Sequence, residues 1–258
     1  MFDAFYAAQY GKTLAFGTHC QYQDIGMFEM CGGLGYDYVW IDVEHGSLSL
    51  NDINNGIVGA NAGGAAAIAR LAGHTQQDVK PILDMGIQGV VFPMINTAEE
   101  AEEAVRLCQY PPKGNRGFNP LRSMQYQQES LDSYLQHADR DILRMLQCEH
   151  YLSVQNLDDI LEVKDISCII VGPMDLSASV GKLGKLADPE LLGYYQTIAK
   201  KCREKHVPFG TSIPYIPEFM KMWIDLGASY ISVGNVYSYF STMSKKVIAE
   251  ARAMKDKA

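Results

Sequence analysis

Short apolar runs rich in β-branched and aromatic residues punctuate the chain at Thr13–Gly17, Tyr38–Asp42, Ala66–Arg70, Gly89–Met94, Leu143–Glu149, Ser167–Gly172, Val207–Ser212 and Tyr230–Gly234. Between most of them the apolar positions recur at helical spacing. The order is therefore strand, helix, strand, helix, which favours parallel strands joined by helical crossovers. Thr97 with Glu100 forms a capping box that opens a helix carrying Ala101, Ala104, Val105 and Cys108 on one face. Asp188-Pro189 sets a cap before a proline in the first turn, and Leu191, Leu192, Tyr195, Ile198 and Cys202 continue that stripe. Gly35, Gly86 and Gly227 each stand just ahead of a strand, where helices end in a left-handed glycine.

This alternation predicts an α/β fold, a single (β/α)8 TIM barrel spanning 1–258; an open doubly wound sheet is the other arrangement it permits. A chain of 258 residues suits one such barrel, which typically needs ~250. Pro111–Asp141 is longer than a usual connection, carries Gly114, Gly117 and Pro120, and contains a short helix around Leu131–His137; it is expected to cover a site. Residues 237–258 predict a closing amphipathic helix with Met243, Val247, Ile248 and Ala251 on one side.

Composition narrows the function. The net charge is −8, and no basic block tracks phosphates, so a nucleic-acid surface is not expected. The first residues lack a basic stretch followed by an apolar one, and no apolar run approaches the ~20 residues of a membrane span, which points to a cytoplasmic protein without membrane contact. The six cysteines show no CxxC spacing and sit in apolar surroundings, as reduced, packed thiols do. Cys148 alternates to the opposite face from Gln147 and Glu149. Gly32-Gly33-Leu34-Gly35 does not form a GxGxxG, and there is no GxxxxGK[ST], so nucleotide binding has little support.

Barrel chemistry gathers at the C-terminal ends of strands. Those ends read Asp42-Val43-Glu44-His45, Arg70, Gln147-Cys148-Glu149 and Gly172-Pro173-Met174-Asp175. Carboxylates at the tips of strands buried on both faces ask for a counter-charge, and a divalent metal supplies it. Glu149 and Asp175 are the candidate ligands, with hard oxygens suited to Mg²⁺, Mn²⁺ or Co²⁺ and positions left for water and substrate. Asp175 has a second reading, as the N-cap of a helix starting near Leu176. Two carboxylates neutralise the ion, so an anionic substrate needs one more positive group, which Arg70 provides as a planar fork. A 2-oxo acid chelating through its keto and carboxylate oxygens fits. His45 is the candidate general base, with Asp42 and Asp84 as candidate partners to orient it; Asp84 lies in an apolar context where an unpaired carboxylate is costly. A Schiff-base mechanism is disfavoured, because no strand carries a lysine in its interior or at its C-terminal end.

The segments Tyr36-Asp37-Tyr38-Val39-Trp40-Ile41-Asp42-Val43-Glu44-His45-Gly46, Tyr110-Pro111-Pro112-Lys113-Gly114-Asn115-Arg116-Gly117, Gln147-Cys148-Glu149 and Gly172-Pro173-Met174-Asp175-Leu176-Ser177 resemble the HpcH/HpaI family of metal-dependent (class II) pyruvate aldolases, in order over residues 14–235. The resemblance implies a barrel of the phosphoenolpyruvate/pyruvate superfamily with its metal on Glu149 and Asp175. It implies that His45 accepts the proton, Asp84 raises its basicity, Arg70 stabilises the enolate, and Gln147 and the amide of Met174, in the Gly172–Asp175 turn, hold pyruvate. It also implies a homo-oligomer, a hexamer in which the C-terminal helix packs on a neighbouring subunit.

The expected reaction is reversible cleavage of a 4-hydroxy-2-oxo acid to pyruvate and an aldehyde, with oxaloacetate decarboxylation as a side activity through the same enolate. The alternatives are a superfamily lyase or mutase acting on acyl-CoA, oxaloacetate or phosphoenolpyruvate, and a catalytically silent oxo-acid-binding barrel. His19, where many relatives carry tryptophan, Met174 in place of the common alanine, and Asn235 are departures that bear on the aldehyde. Arg116 and Arg122 are either receivers of an acidic aldehyde tail or anchors of their own segment.

Overall fold

Eight parallel strands close in chain order into a barrel: β1 (Ala15–Cys20), β2 (Tyr38–Asp42), β3 (Ala66–Arg70), β4 (Gly89–Phe92), β5 (Leu143–Cys148), β6 (Cys168–Val171), β7 (Phe209–Ile213) and β8 (Tyr230–Asn235). The structure is a computed structural model that describes residues 2–255. Helices α1 (Asp3–Ala8), α2 (Ile25–Gly33), α3 (Leu50–Ala62), α4 (Gln76–Asp84), α5 (Ala98–Cys108) and α6 (Leu131–Leu135) occupy the first half. Helices α7 (Tyr151–Gln155), α8 (Leu157–Ile160), α9 (Pro173–Ser179), α10 (Pro189–Glu204), α11 (Pro217–Asp225) and α12 (Val236–Lys255) follow. The caps open helices as expected: Thr97 accepts from the Glu100 N–H in a capping box at the start of α5, and Asp188 accepts from the Glu190 N–H to cap α10. Gly35, Gly86 and Gly227 lie at φ of 97°, 72° and 87°, a region that costs a side chain but not glycine.

Strand alternation divides the apolar residues into two cores. Inward-facing Tyr38, Trp40, Ala66, Ile68, Val91, Leu143, Met145, Cys168, Ile170 and Tyr230 fill the barrel, and Phe5 of α1 plugs the end where the strands begin, with the Tyr230 hydroxyl donating to its carbonyl at 2.7 Å. Outward-facing residues, Cys148 among them, pack against the helices. All six cysteines are free and buried.

The inward register decides where the chemistry lies. Residues two apart on a strand share a face, so above Trp40 comes Asp42, above Ile68 Arg70, and above Met145 Gln147. Asp42 and Arg70 are register partners across β2 and β3. A filled apolar barrel is thus topped by a polar layer at the C-terminal ends of its strands.

Two expectations need correction. The first strand runs over Ala15–Cys20 rather than Thr13–Gly17, so His19 stands in β1, facing inward. The segment 111–141 does not cover the polar end. It joins the end of α5 to the start of β5, and a helix-to-strand connection emerges where strands begin. Arg122 fastens it there, donating from Nη1 to the Met85 carbonyl at 2.9 Å, while the Tyr6 hydroxyl donates to the Asp141 carbonyl at 2.8 Å. The expected helix near Leu131–His137 is present as α6.

The C-terminal helix is present through Lys255; its last expected residues, 256–258, lie outside those described. Past Val236, its Phe240, Met243, Val247 and Ile248 are exposed. Among the described residues no helix is long and apolar enough to cross a membrane.

Candidate active site

Arg70 organises one side of the polar layer. Its Nε and Nη2 donate to the two carboxylate oxygens of Asp42 at 3.1 and 2.6 Å, and its Nη1 lies 3.0 Å from Glu44 Oε2. Burial alone would raise the Asp42 pKa, yet the hydrogen bonds and charge of Arg70 pull it below the ordinary carboxylate value. Asp42 also accepts from the Gln21 amide at 3.2 Å and from the His45 N–H at 3.2 Å, which fixes the loop after β2. The His45 side chain is 64% exposed, with Nε2 3.6 Å from Glu44 Oε2.

Glu149 organises the other side. It follows β5 directly and is buried; the Met94 N–H donates to its Oε1 at 2.8 Å, and the Gln147 amide donates to its Oε2. Met94 holds the left-handed backbone, φ 52°, at this contact. Burial, reinforced by the charges of Asp175 and Glu44 and opposed by the Met94 N–H and Arg70, pushes the Glu149 pKa up to about 7. Gly172 packs against it: a Cβ there would lie 2.6 Å from Glu149 Oε2 and 3.1 Å from Gln147 Nε2. Asp175 is exposed in the first turn of α9, whose N-cap is Gly172, so Asp175 does not cap that helix.

These residues suit a divalent cation. A buried carboxylate raised to about 7 sits among further acidic charge that Arg70, already paired with Asp42 and Glu44, only partly offsets. The carbonyl oxygen of the Gln147 side chain is buried without a partner. Glu149 and Asp175 supply hard oxygens, and among the described residues no group of three or more His, Cys, Asp and Glu side chains could close a metal cage. Such a site leaves coordination positions to water and substrate.

A cleft of about 810 Å³ opens over Asp42, Arg70 and His45 and reaches Met174, Ser212, Tyr215, Asn235 and Met243. His19 lines it from β1. Its ring stacks on Trp40 with centroids 4.5 Å apart, and its Nε2 lies 2.8 Å from Ser212 Oγ.

Asp84, Arg116 and Arg122 lie elsewhere. Asp84 ends α4 near the start of β4, and its partner is Arg116, whose Nη2 donates at 3.2 Å. No contact among the described residues joins Asp84 to His45, because helix α4 runs from the active end of the barrel to the far one. Arg116 is fully enclosed, its guanidinium 4.6 Å from the Tyr110 ring centroid. Arg122 is spent on the Met85 and Gly86 carbonyls and Asn61 Oδ1. Within the chain both arginines anchor their segment, and neither reaches the cleft. Glu44, by contrast, is a site residue that the strand-end pattern does not single out: it lies between Arg70 and His45, and its place two residues past a strand-end aspartate is the sequence signal for it.

The chain matches the family model described as HpcH/HpaI aldolase/citrate lyase over residues 17–232. It is 32% identical over 228 residues to the 4-hydroxy-2-oxovalerate aldolase of Rhodococcus jostii, covering 88% of this chain and 84% of that protein. It is 28% identical over 240 residues to the hydroxypyruvate/pyruvate aldolase of Roseobacter denitrificans, covering 93% of both. A crystal structure of an HpcH/HpaI aldolase/citrate lyase family protein from Burkholderia cenocepacia superposes with a TM-score of 0.90, at 23% identity over 97% of this chain and 99% of that one, which shows the shared fold.

Proposed function

The chain belongs to the HpcH/HpaI aldolase/citrate lyase family, and from that premise we propose a divalent-metal-dependent aldolase that reversibly cleaves a 4-hydroxy-2-oxo acid to pyruvate and an aldehyde. The observation that carries this reading is the buried Glu149 carboxylate, raised to about 7, set among Gln147, Asp175 and Arg70 at the active end of the barrel. Glu149 and Asp175 would hold Mg²⁺, Mn²⁺ or Co²⁺, which when bound supplies Lewis acidity to the 2-oxo group.

The chain's own residues supply the rest. His45, at the open side of the cleft, takes the proton from the C4 hydroxyl, directly or through a water. The C3–C4 bond breaks, its electron pair moves toward the 2-oxo oxygen, and Arg70 meets the negative charge that develops there. Asp42 and Glu44 fix the plane of that guanidinium. Gln147 and the Met174 N–H, at the start of α9, hold pyruvate, and Gly172 leaves room for Glu149 beside it. Asp84 lies on the far side of the barrel, so an effect on His45 requires a second copy. A homo-oligomer would provide one, and the exposed Met243, Val247 and Ile248 of α12 offer it an apolar face.

The test separates base from enolate stabiliser. His45→Ala should lower pyruvate release from a 4-hydroxy-2-oxo acid by ~10²-fold or more, while oxaloacetate decarboxylation, which has no C4 hydroxyl to deprotonate, falls less. Arg70→Ala should damage both. Equal losses in both reactions for His45→Ala would contradict the division of roles.

A further inference from the structure

The half of the cleft beyond Arg70 has a definite chemical character. Arg70 is the only Lys or Arg among its lining residues, and it is already paired with Asp42 and Glu44 and committed, in the proposed reaction, to the 2-oxo oxygen. Apart from His45, the base of the proposed reaction, the polar groups that remain are chiefly His19, Ser212, Asn235 and Gln21. Among the described residues that line the cleft, no lysine or second arginine is left to receive a carboxylate on the aldehyde.

His19 is the most constrained of these groups. It is held flat on Trp40, and burial, helped by the Arg70 charge, pushes its pKa down to about 3, so the ring is neutral at physiological pH. Its one hydrogen-bonding contact among the described residues is Ser212 Oγ at Nε2, which leaves Nδ1 unpaired at the cleft. In a neutral imidazole one nitrogen donates and the other accepts. If Nε2–H donates to Ser212, Nδ1 is an acceptor; if the Ser212 hydroxyl donates to Nε2, Nδ1–H is a donor. A hydroxyl group both donates and accepts, so it satisfies either arrangement. A carboxylate satisfies only the second, and a methyl group neither.

We propose that His19 and Ser212 select the aldehyde half of the substrate by a hydroxyl group, so that the cleft prefers an uncharged hydroxyaldehyde to an unsubstituted or a carboxylated aldehyde. This rests on the aldolase reading and adds the class of its second substrate.

The experiment is aldol addition of pyruvate, with Mn²⁺ supplied, to matched aldehydes: glycolaldehyde against acetaldehyde, lactaldehyde against propionaldehyde, and succinic semialdehyde as the carboxylated probe. One hydrogen bond to a neutral group predicts a kcat/KM ratio of roughly tenfold in favour of each hydroxylated member. His19→Phe, which keeps a ring on Trp40 but no nitrogen, should bring that ratio close to one, and His19→Gln should restore part of it. A purely structural role for His19 would lower both members of a pair and leave the ratio alone. Should His19→Phe fail to fold, Ser212→Ala carries the same test. A wild-type ratio near one, a ratio unchanged in the variants, or a preference for succinic semialdehyde would overturn the proposal. Oxaloacetate decarboxylation, run alongside, uses no aldehyde; its absence together with every aldol reaction would instead overturn the proposed function.

Discussion

Replacing Gly172 by alanine would put a methyl group where the fold leaves no room for one. The backbone there, at φ −99° and ψ 89°, accepts any residue, so the perturbation is steric alone. The new Cβ would stand 2.6 Å from Glu149 Oε2 and 2.8 Å from Glu149 Cβ, where ordinary contact begins at 3.4 Å. The carboxylate oxygen must retreat by about 0.8 Å, the difference between those contacts, and its bond from the Gln147 amide is disturbed. Glu149 Cβ is tied to the backbone and cannot swing away, so the end of β5 also shifts. Overpacking of this kind costs about 1–3 kcal/mol. At about 2–4 °C per kcal/mol in a domain of this size, Tm falls by several degrees. If Glu149 is a ligand, Mn²⁺ binding weakens by ~10–100-fold, the usual result of disturbing the supports of a metal site. Calorimetric titration with Mn²⁺, alongside thermal scans in chelator, reads both effects. A lowered Tm with Mn²⁺ affinity within about twofold of wild type would refute Glu149 as a ligand; no change in either would refute the packing argument.

Two further predictions concern the far end of the barrel. His137 lies 2.7 Å from both Glu129 Oε1 and Asp141 Oδ2, and the Glu129 hydrogen bond leads in raising its pKa above the usual 6.5. A raised folded pKa contributes stability that is full below about 6.5 and lost as pH rises through the folded value. Amide exchange in the 129–141 segment should therefore quicken as pH rises through neutrality beyond the intrinsic trend, and His137→Gln should abolish that excess; an equal excess in the variant would contradict it. Asp84→Ala strips the ion partner from a guanidinium that is fully buried, with Nε and Nη1 already unpartnered, and should cost about 3 kcal/mol by urea unfolding; a loss below about 1 kcal/mol would mean the pair is not structural.

Short apolar runs marked the strands, because strands buried on both faces have no polar residue to interrupt them. The same pattern placed β1 at Thr13–Gly17 instead of Ala15–Cys20, since Thr18 and His19 are buried polar groups that look like loop. Strand-end polarity located Asp42, Arg70, Gln147 and Glu149, for the inward register of a filled barrel leaves only its last layer free to be polar. Glu44 was harder to see: it lies off the strand, and its contact with Arg70 comes from a loop that only the folded chain shows. Helix direction could have placed the 111–141 segment and Asp84 at the far end, since α4 and α5 each lead back to the start of a strand. Their sequence context, an apolar neighbourhood and paired arginines, spoke of chemistry and describes an anchor.

Metal dependence is where the proposed chemistry is most exposed to test. Chelator-stripped protein is assayed for pyruvate release from a 4-hydroxy-2-oxo acid while Mn²⁺ is titrated back, in wild type and in Glu149→Gln. A Glu149-held metal predicts no release above background in chelator, recovery that saturates with Mn²⁺ in the wild type, and none in Glu149→Gln over the same range. Full activity in excess chelator, or equal recovery in the variant, would contradict it.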